Sequence, residues 1–377
     1  MGSAQRSDTH KYTWIALRGR RELPADGVAD YCAFLGQALA RQGVTLQIHQ
    51  VPIEEGWLRA LLDVRQMCIG HRGNWILLQY TALGWSRRGF PLNAVATMAL
   101  LRLYGMACAV VFHEPVRQSP TRRNWISSVR GAFQDWVIRA LHLLSRKSIY
   151  TVPLAGIPWL FKGDSKNVFI PLGANIPECE SSNPRSQPVD GGGSTIAVYC
   201  VSDPPFREKE LSEVSRAMRC ASAVKFDLHI VFLGRGTREA SDDIANMFAG
   251  IPVKVTNLGL CELGEVGRVL TRSDAMLCVR GNLNLRRGSA LTGIACGVPV
   301  LAYAGAAEGT PLMDAGIEFV PNGDAEALGT ALIRVLTNGA LQQVMREKNR
   351  RVYRSHFSWD TIAAAFVSSI IEEPKVP

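Results

Sequence analysis

The chain has 377 residues, of which 47% are hydrophobic and 20% charged, as in an ordinary soluble globular protein with room for two domains. The net charge is +9, and the excess lies in the first half. Residues 1–170 carry 21 Lys and Arg against 10 Asp and Glu (+11), whereas residues 171–377 carry 21 against 23 (−2). A basic half favours an anionic partner such as a membrane surface, a nucleic acid or an anionic substrate, or else it only solubilises the protein.

The nine cysteines are scattered and form no C-x-x-C pair, which argues against a disulfide scaffold or a zinc site and favours a reducing, cytoplasmic setting. The first residues lack the apolar core of a signal peptide. The longest apolar stretch, Leu92 to Phe112, is interrupted by Arg102 and Gly105. We therefore expect a helix and a buried strand there, and membrane contact that is peripheral at most.

Strand-like and helix-like segments alternate along the first half. The predicted strands and helices include 12–19, 27–43, 45–51, 74–80, 107–114 and the basic helix 127–147. This rhythm is typical of a doubly wound parallel sheet. Residues 178–194 then break it with Pro, Ser and a glycine triplet, a composition that predicts a linker.

The same rhythm restarts after the linker. Further segments follow at 194–201, 208–218, 226–236, 251–259, 274–279 and 299–303, and a last helix begins near Ser358. We predict an α/β protein with two tandem Rossmann-like domains that face a central cleft, where such pairs bind ligands. The predicted boundaries are an N-terminal domain (1–177), a linker (178–194), a C-terminal domain (195–356) and a final helix (357–377) that packs on the first domain.

One stretch, RRGSALTGIACGVPVLAY from Arg286 to Tyr303, indicates an anion site. Arg286, Arg287 and the earlier Arg280 surround the start of a helix at Gly288 and Ser289, just after a predicted strand. Unpaired amides and the positive end of the dipole meet there, glycine allows close approach, and guanidinium groups neutralise phosphate. The alternative is a solvated basic loop before a packing helix.

Residues 290–336 resemble the donor-binding half of GT-B glycosyltransferases, in particular glycosyltransferase family 4. The similarity lies in "ACGVPVLA", in "GIEFVPNGDAEAL" and in a late "FSW". Earlier segments, "GVADYCAFLGQALARQG", "VVFHE", "VFIPLGAN" and "IVFLGRG", resemble family elements in the same order. The resemblance spans nearly the whole chain and rests on order and spacing more than on any single motif.

The resemblance implies a retaining transferase that moves a sugar from a nucleotide-diphosphate sugar to a glycan or lipid-linked acceptor, with no catalytic metal and no cofactor. The sequence also lacks the D-x-D motif of the other large glycosyltransferase fold. Arginines and helix termini would stabilise the departing diphosphate. Two alternatives stay open: a non-catalytic nucleotide- or sugar-binding scaffold, and a nucleotide-sugar epimerase of the same fold.

The chain departs from the family at two positions that usually hold glutamates. Asn284 and Thr292 occupy them, and both can only hydrogen-bond donor hydroxyls without a charge. Glu308, just after a strand of the donor domain, is a candidate replacement. This departure is what keeps the scaffold hypothesis open.

The remaining site predictions follow from the same resemblance. Lys209 matches the family's diphosphate lysine, and Arg207 is expected to substitute for an arginine at the position of Pro204. His113, which ends a buried strand, is a catalytic candidate, and Gly27 opens the first helix. On the acceptor side we expect Glu114 beside His113, and the loop arginines Arg87 and Arg88.

The basic segment 116–147 combines seven Arg and Lys with Trp125, Phe133 and Trp136. Such a helix could lie on an anionic membrane, placing the protein at the inner face of a membrane. We expect sheet packing to take most of its aromatic face, which leaves the arginines for that role. The sequence has no nucleic-acid module, so nucleic acid is not an expected partner.

Overall fold

In a computed structural model, the protein is described at residues 12–20, 27–115, 125–161, 163–176, 193–224, 227–305 and 308–371. The chain divides into two compact units. The first comprises residues 1–171 and 359–377, and the second comprises residues 172–358. The predicted linker falls almost wholly outside the described residues, as do Arg117, Arg122 and Arg123 of the basic segment.

The first unit alternates strands with helices, as the sequence predicts. Its elements are β1 (Tyr12–Arg18), α1 (Gly27–Arg41), β2 (Val44–Gln50), α2 (Trp57–Gly70), β3 (Trp75–Tyr80), α3 (Ala82–Trp85), α4 (Leu92–Leu103), β4 (Ala107–Phe112), α5 (Trp125–Leu144), β5 (Lys147–Tyr150) and β6 (Asn167–Phe169). The apolar stretch from Leu92 is therefore a helix followed by a buried strand, which confirms that prediction. Within the described ranges, no helix combines the length and hydropathy that crossing a bilayer requires.

The second unit repeats the pattern. It contains β7 (Ser194–Tyr199), α6 (Phe206–Ser222), β8 (Leu228–Leu233), α7 (Ser241–Phe248), β9 (Lys254–Asn257), α8 (Leu263–Arg272), β10 (Ala275–Cys278), α9 (Gly288–Ala295), β11 (Val300–Tyr303), β12 (Ile317–Val320), α10 (Ala325–Thr337) and α11 (Gly339–Val352). A π-helical turn, Tyr353–Phe357, follows, and the last helix, α12 (Trp359–Ile371), belongs to the first unit.

Each unit is built on one six-stranded parallel sheet. The strand order is β2-β1-β3-β4-β5-β6 in the first and β12-β11-β10-β7-β8-β9 in the second. The second order is that of a Rossmann fold, in which the chain winds out to one side from the first strand and then to the other. The central strands are apolar and buried, as parallel sheets covered on both faces require. The prediction of two tandem Rossmann-like domains is confirmed.

The order of the second sheet fixes where loops can form a site. β7 lies between β8 and β10, so the connections that follow β7 and β10 leave the same edge in opposite directions. Two loops that diverge in this way open a crevice between them at the carboxyl ends of their strands. In the first sheet β1 has the same position, between β2 and β3.

Helix α12 packs on α1. Trp359 stacks on Phe34, with ring centroids 5.6 Å apart, and meets Tyr31 edge to face at 5.2 Å. Arg41 donates from Nε to Asp360 at 2.8 Å. These contacts fix helix α12 to the first unit.

One sequence expectation about α5 is wrong. We expected the sheet to take most of its aromatic face, but Trp125 is 75% exposed and Trp136 51%. The sheet instead packs against a different face of α5, which carries Gly131, Ile138 and Leu141. A helix that is apolar on two sides does not reveal from its sequence which side the sheet takes.

Gly316, directly before β12, lies where helix α11 packs closely on the sheet. Asn349 on α11 is fully buried, accepts from the amide of Gly316 at 2.7 Å and donates to the carbonyl of Val298 at 2.7 Å. A methyl group on Gly316 would overlap the backbone carbonyl of Met345. Gly316 therefore lets α11 approach the sheet this closely.

We expect Gly316→Ala to lower the free energy of unfolding by about 1–3 kcal/mol, because a backbone carbonyl cannot move aside as a side chain can. Gly339→Ala is the matched control, since nothing lies within 4 Å of its added methyl group. Gly339 begins α11, where alanine should be neutral or slightly stabilising. Urea denaturation of both variants measures the difference, and equal stabilities would contradict this account of the packing.

Candidate functional site

The candidate site lies at the carboxyl ends of β7 and β10 in the second unit. Two loops meet there: residues 200–205 after β7 and residues 279–287 after β10. A small pocket between them is lined by the strand ends, by Glu210 and Leu211 of α6, and by Arg280. This is the crevice that the strand order predicts.

Ser202 joins the surrounding elements through three hydrogen bonds. Its amide donates to Glu210 Oε2 at 2.9 Å, its carbonyl accepts from Arg207 Nε at 3.3 Å, and its hydroxyl accepts from Arg280 Nε at 3.2 Å. Helix α6 and the β10 loop are therefore both fixed to the β7 loop. Ser202 and Glu210 were not predicted, because neither belongs to a recognisable local motif.

The three arginines predicted to bind an anion are close together. Burial, followed by the charge of Arg280, lowers the pKa of the Arg287 guanidinium, and Arg286 adds to the effect. Arg287 is also the N-cap residue of α9. The structure thus brings Arg280, Arg286 and Arg287 into one cluster, which we call the arginine cluster, at the start of that helix.

The thiol of Cys278, at the end of β10, lies close enough to the arginine cluster for its pKa to be affected by the charges there. Burial raises the pKa of its thiol to about 11, and the charges of Arg287 and Arg280 counteract that rise. The Ser289 hydroxyl hydrogen-bonds to the same thiol. Ser289 is buried, so its side chain faces the strand end, and its backbone remains as the part that can serve an anion.

The start of α9 differs from the prediction at Thr292. We expected its hydroxyl to hold a donor hydroxyl group, but Thr292 is 2% exposed and donates to the carbonyl of Gly288 at 2.9 Å. Such a bond within one helical turn occupies the hydroxyl. Gly288, by contrast, is exposed, with nothing within 4 Å of the place where a side chain would begin.

Asn284 shapes its own loop. Its side-chain oxygen accepts from the amide of Arg286 at 3.0 Å, and its side-chain nitrogen donates to the carbonyl of Asn282 at 3.4 Å. This is the local turn chemistry for which asparagine is favoured. The residue therefore orients Arg286.

A glycine turn after β8 presses against the β7 loop. Gly234 and Gly236 both have positive φ, and a methyl group on Gly236 would overlap the carbonyl of Val201. Cys200 itself has φ 68°, a strained value for a residue other than glycine, of the kind that clusters at functional sites. Arg235, between the two glycines, is exposed. Burial raises the pKa of the Cys200 thiol, and the charges of Arg280 and Arg235 counteract that rise. We did not predict Arg235, and its flanking glycines were the available signal.

The other residues predicted on the donor side, Arg207, Lys209 and Glu308, differ in burial and in their contacts. Arg207 is largely buried; its Nη1 donates to the Glu239 carbonyl at 3.0 Å and lies 3.4 Å from Asp243 Oδ2. This guanidinium therefore braces α6 against the start of α7.

Lys209 is 70% exposed and lies 3.8 Å from Glu213, whose other oxygen accepts from the Tyr303 hydroxyl at 2.8 Å. The side chain of Lys209 is thus exposed to solvent, in the first turn of α6. Glu308 is exposed in the loop after β11. Both side chains keep their charged ends accessible to a ligand.

The first unit carries its own polar constellation, at the carboxyl end of β4. The Nε2 of His113 lies 2.9 Å from Gln79 Oε1, and its ring meets Tyr31 edge to face at 4.8 Å. Burial lowers the pKa of His113 to about 4. At neutral pH the imidazole is therefore uncharged, donates from Nε2 to Gln79 and offers Nδ1 as an acceptor.

The other predicted residues of this unit surround different parts of the same sheet edge. Gly27 begins α1 one turn before Tyr31 and is exposed, and Glu114 directly follows His113. Arg87 and Arg88 are exposed in the loop between α3 and α4, where Arg87 Nε lies 3.4 Å from Glu54 Oε1. Across the described residues, no three His, Cys, Asp or Glu side chains gather closely enough to hold a metal ion.

No family model matches the sequence, and no curated protein matches it. Among solved structures, a glycosyltransferase from Rickettsia africae is similar with a TM-score of 0.68 and 14% identity, covering 97% of this chain and 100% of the other. HepE from Anabaena, in complex with UDP and glucose, gives 0.65 and 10%, covering 96% and 100%. A putative UDP-N-acetylglucosamine 2-epimerase from Listeria monocytogenes gives 0.54 and 11%, covering 97% and 98%.

These likenesses extend over nearly the whole of each chain at low identity, so they concern the fold. The GT-B architecture expected from the sequence is confirmed. Proteins with different chemistry share this fold, so the fold alone does not choose among them.

The environment of His113 predicts its titration. We expect a pKa of about 4 by NMR of the imidazole, because burial disfavours the cation. An unfolded histidine takes up its proton near pH 6.5, so the unfolded state binds more protons between about pH 6.5 and 4. Stability should therefore fall as the pH is lowered through that window.

His113→Gln should make this part of the pH dependence flatter, because glutamine carries no titrating group. The comparison is made by urea denaturation of both proteins at several pH values. A His113 imidazole that titrates near pH 6.5 in the folded protein would contradict the described burial.

Proposed function

We propose that the protein is a glycosyltransferase of the family 4 type, which moves a sugar from a nucleotide-diphosphate sugar to an acceptor hydroxyl. The observation that carries the proposal is the arginine cluster at the start of α9, on the loop after β10. Burial, then the charge of Arg280 and that of Arg286, lower the pKa of Arg287, and three guanidinium groups held this close together suit a dianion. The similar fold of HepE, solved with UDP and glucose, supports a diphosphate as that anion.

The parts of the site divide the work as follows. Arg280, Arg286 and Arg287 neutralise the diphosphate, while Ser289 offers its backbone amide at the positive end of the α9 dipole. The amide of Gly288 donates to the Arg286 carbonyl at 3.2 Å, so Gly288 contributes close approach to the backbone. Transfer breaks the bond between the anomeric carbon and the diphosphate oxygen, forms a bond to the acceptor oxygen and releases the acceptor's proton. Charge develops on the leaving diphosphate, which is where fixed cations lower the barrier most.

Several predicted roles change on this arrangement. Asn284 orients Arg286, Thr292 stabilises the first turn of α9, and Arg207 braces α6, so we propose all three as positioning residues. Lys209 and Glu308 remain candidates for direct contact, and Arg235 joins them, because the charged ends of all three are exposed. We propose retention of the anomeric configuration and transfer without a metal or cofactor, as the family resemblance implies.

In the first unit we propose that His113 and Gly27 contact the substrates, with Glu114, Arg87 and Arg88 on the acceptor side. A neutral His113 accepts a hydrogen bond through Nδ1, which suits a sugar hydroxyl. The acceptor is a glycan or a lipid-linked glycan, and the basic first unit favours an anionic membrane surface as the place of reaction, at the inner face of a membrane.

Two other functions each have an observation in their favour. The similarity to a putative UDP-N-acetylglucosamine 2-epimerase favours an epimerase of the same fold. The buried hydroxyl of Thr292, where the family usually has a glutamate, favours a scaffold that binds nucleotide sugar without turnover.

One assay separates the three functions. The protein is incubated with a panel of UDP-, GDP- and TDP-sugars, with and without glycan and lipid-linked acceptors, and both nucleotide and sugar products are analysed. A transferase releases nucleoside diphosphate and lengthens the acceptor, an epimerase changes the sugar with no acceptor present, and a scaffold binds without either product. Failure of every nucleotide to raise the melting temperature would contradict all three.

The arginine cluster makes a quantitative prediction for nucleotide affinity. Arg280→Gln removes one charge-assisted contact, worth roughly 1.5–3 kcal/mol, so we expect the Kd for the preferred nucleoside diphosphate to rise about 10- to 150-fold. Isothermal titration calorimetry measures the change.

Arg272→Gln is the matched control for charge. Arg272 is exposed at the end of α8, directly before β10, and so lies at the opposite edge of the same sheet. Its substitution should leave the Kd within about twofold, since exposed charges farther apart than about 10 Å are screened. Equal losses in the two variants would show that only net charge matters, against a site in the crevice.

A further inference from the structure

Helix α5 is apolar on two sides. The inward side is buried against the sheet through Val137, Ile138 and Leu141. On the outside, Trp125 and Leu143 are each about three-quarters exposed. Single exposed apolar side chains are ordinary, whereas a contiguous exposed apolar patch marks an interaction surface.

The exposed side chains form one stripe. Positions 125, 129, 133, 136, 140 and 143 fall within about 80° of arc at 100° per residue, on the face opposite the buried one. Val129 and Trp136 are each about half exposed, and Phe133 joins the stripe between them at 5.6 Å from the ring of Trp136.

The stripe continues onto a neighbouring loop. Phe90, 39% exposed, meets Phe133 edge to face at 5.4 Å, and Gln134 Nε2 donates to the carbonyl of Gly89 at 2.9 Å. The loop is therefore fixed to α5. We call Phe90, Trp125, Val129, Phe133, Trp136 and Leu143 the α5 surface.

Cations flank the α5 surface. Arg130, Arg139 and Arg146 are exposed on or just after the helix, and Arg88 is exposed beside Phe90. The same half of the chain has 11 more basic than acidic residues. Aromatic and aliphatic side chains bordered by arginines match the boundary between headgroups and acyl chains of an anionic bilayer.

We propose that the α5 surface docks in the plane of an anionic phospholipid bilayer, with its indole rings among the headgroups and its arginines on lipid phosphates. Charge decides between this occupant and a second copy of the chain. Two copies meeting through this surface would bring like-charged arginines together, whereas a bilayer supplies the opposite charge. The inference names the surface that meets the anionic membrane and so rests on that part of the proposed function, while the transfer chemistry does not enter it.

The experiment is flotation of the full chain with phosphatidylcholine vesicles that contain or lack 30 mol% phosphatidylglycerol, without any nucleotide sugar. We expect binding to the anionic vesicles and at least roughly tenfold less to the neutral ones. Trp fluorescence should shift to shorter wavelength only with the anionic vesicles.

Two double variants separate the apolar and the ionic parts. Trp125→Ser with Trp136→Ser should weaken partitioning by at least roughly tenfold, and Arg130→Gln with Arg139→Gln by about 30-fold. Trp57→Ser with Leu58→Ser is the matched control, since both residues are exposed apolar side chains on α2, and it should bind as the unmodified protein does. Circular dichroism verifies that each variant is folded.

Three results would overturn the proposal. They are absence of binding to anionic vesicles, equal loss in the α2 control, and a dimer in light scattering that Trp125→Ser dissociates. Because no donor or acceptor is present, none of these results bears on glycosyl transfer. Transfer to a water-soluble acceptor by a variant that no longer floats would keep the two proposals distinct.

Discussion

The candidate site in the second unit depends on three arginines that are held close together where they are partly buried. Arg287 lies at the start of α9 near Arg280 and Arg286, and burial, followed by the charge of Arg280, lowers the pKa of its guanidinium. Ser202 and Asn284 keep the loops from spreading the charges apart, because they fix Arg280 and the Arg286 backbone. A dianion that enters the cluster removes the repulsion, so the cost of assembling the arginines returns as affinity.

The sheet supplies the rigid base that this cluster needs. Strand order opens a crevice between β7 and β10, and close backbone contacts at Gly236 and Gly316 keep loops and helices in place. The first unit is also built on a parallel sheet, but different side chains lie at its carboxyl edge and on its outer helix. Its sheet ends in a neutral histidine, and its outer helix presents aromatic side chains and arginines. The two proposals, diphosphate binding and membrane docking, thus concern separate units.

Periodicity and glycine positions predicted both sheets, the helix start at Gly288 and the grouping of three arginines near it, because these follow from local spacing. Ser202, Glu210 and Arg235 escaped prediction since their importance comes from contacts between loops that are far apart in sequence. Thr292 was expected to hydrogen-bond a donor hydroxyl. The sequence of a helix start does not reveal that a threonine hydroxyl donates to the carbonyl one turn earlier, here that of Gly288. Trp125 and Trp136 were assigned inward because both sides of α5 are apolar.

Backbone amide hydrogen exchange with and without UDP tests the central claim most directly. The account predicts that UDP slows exchange in residues 279–287 and at the first turn of α9, since the diphosphate would accept from the Ser289 amide and hold the loop that carries the arginines. Exchange along the opposite edge of the sheet, around Arg272, should stay the same. Unchanged exchange at the α9 start, under conditions where UDP is bound, would contradict it.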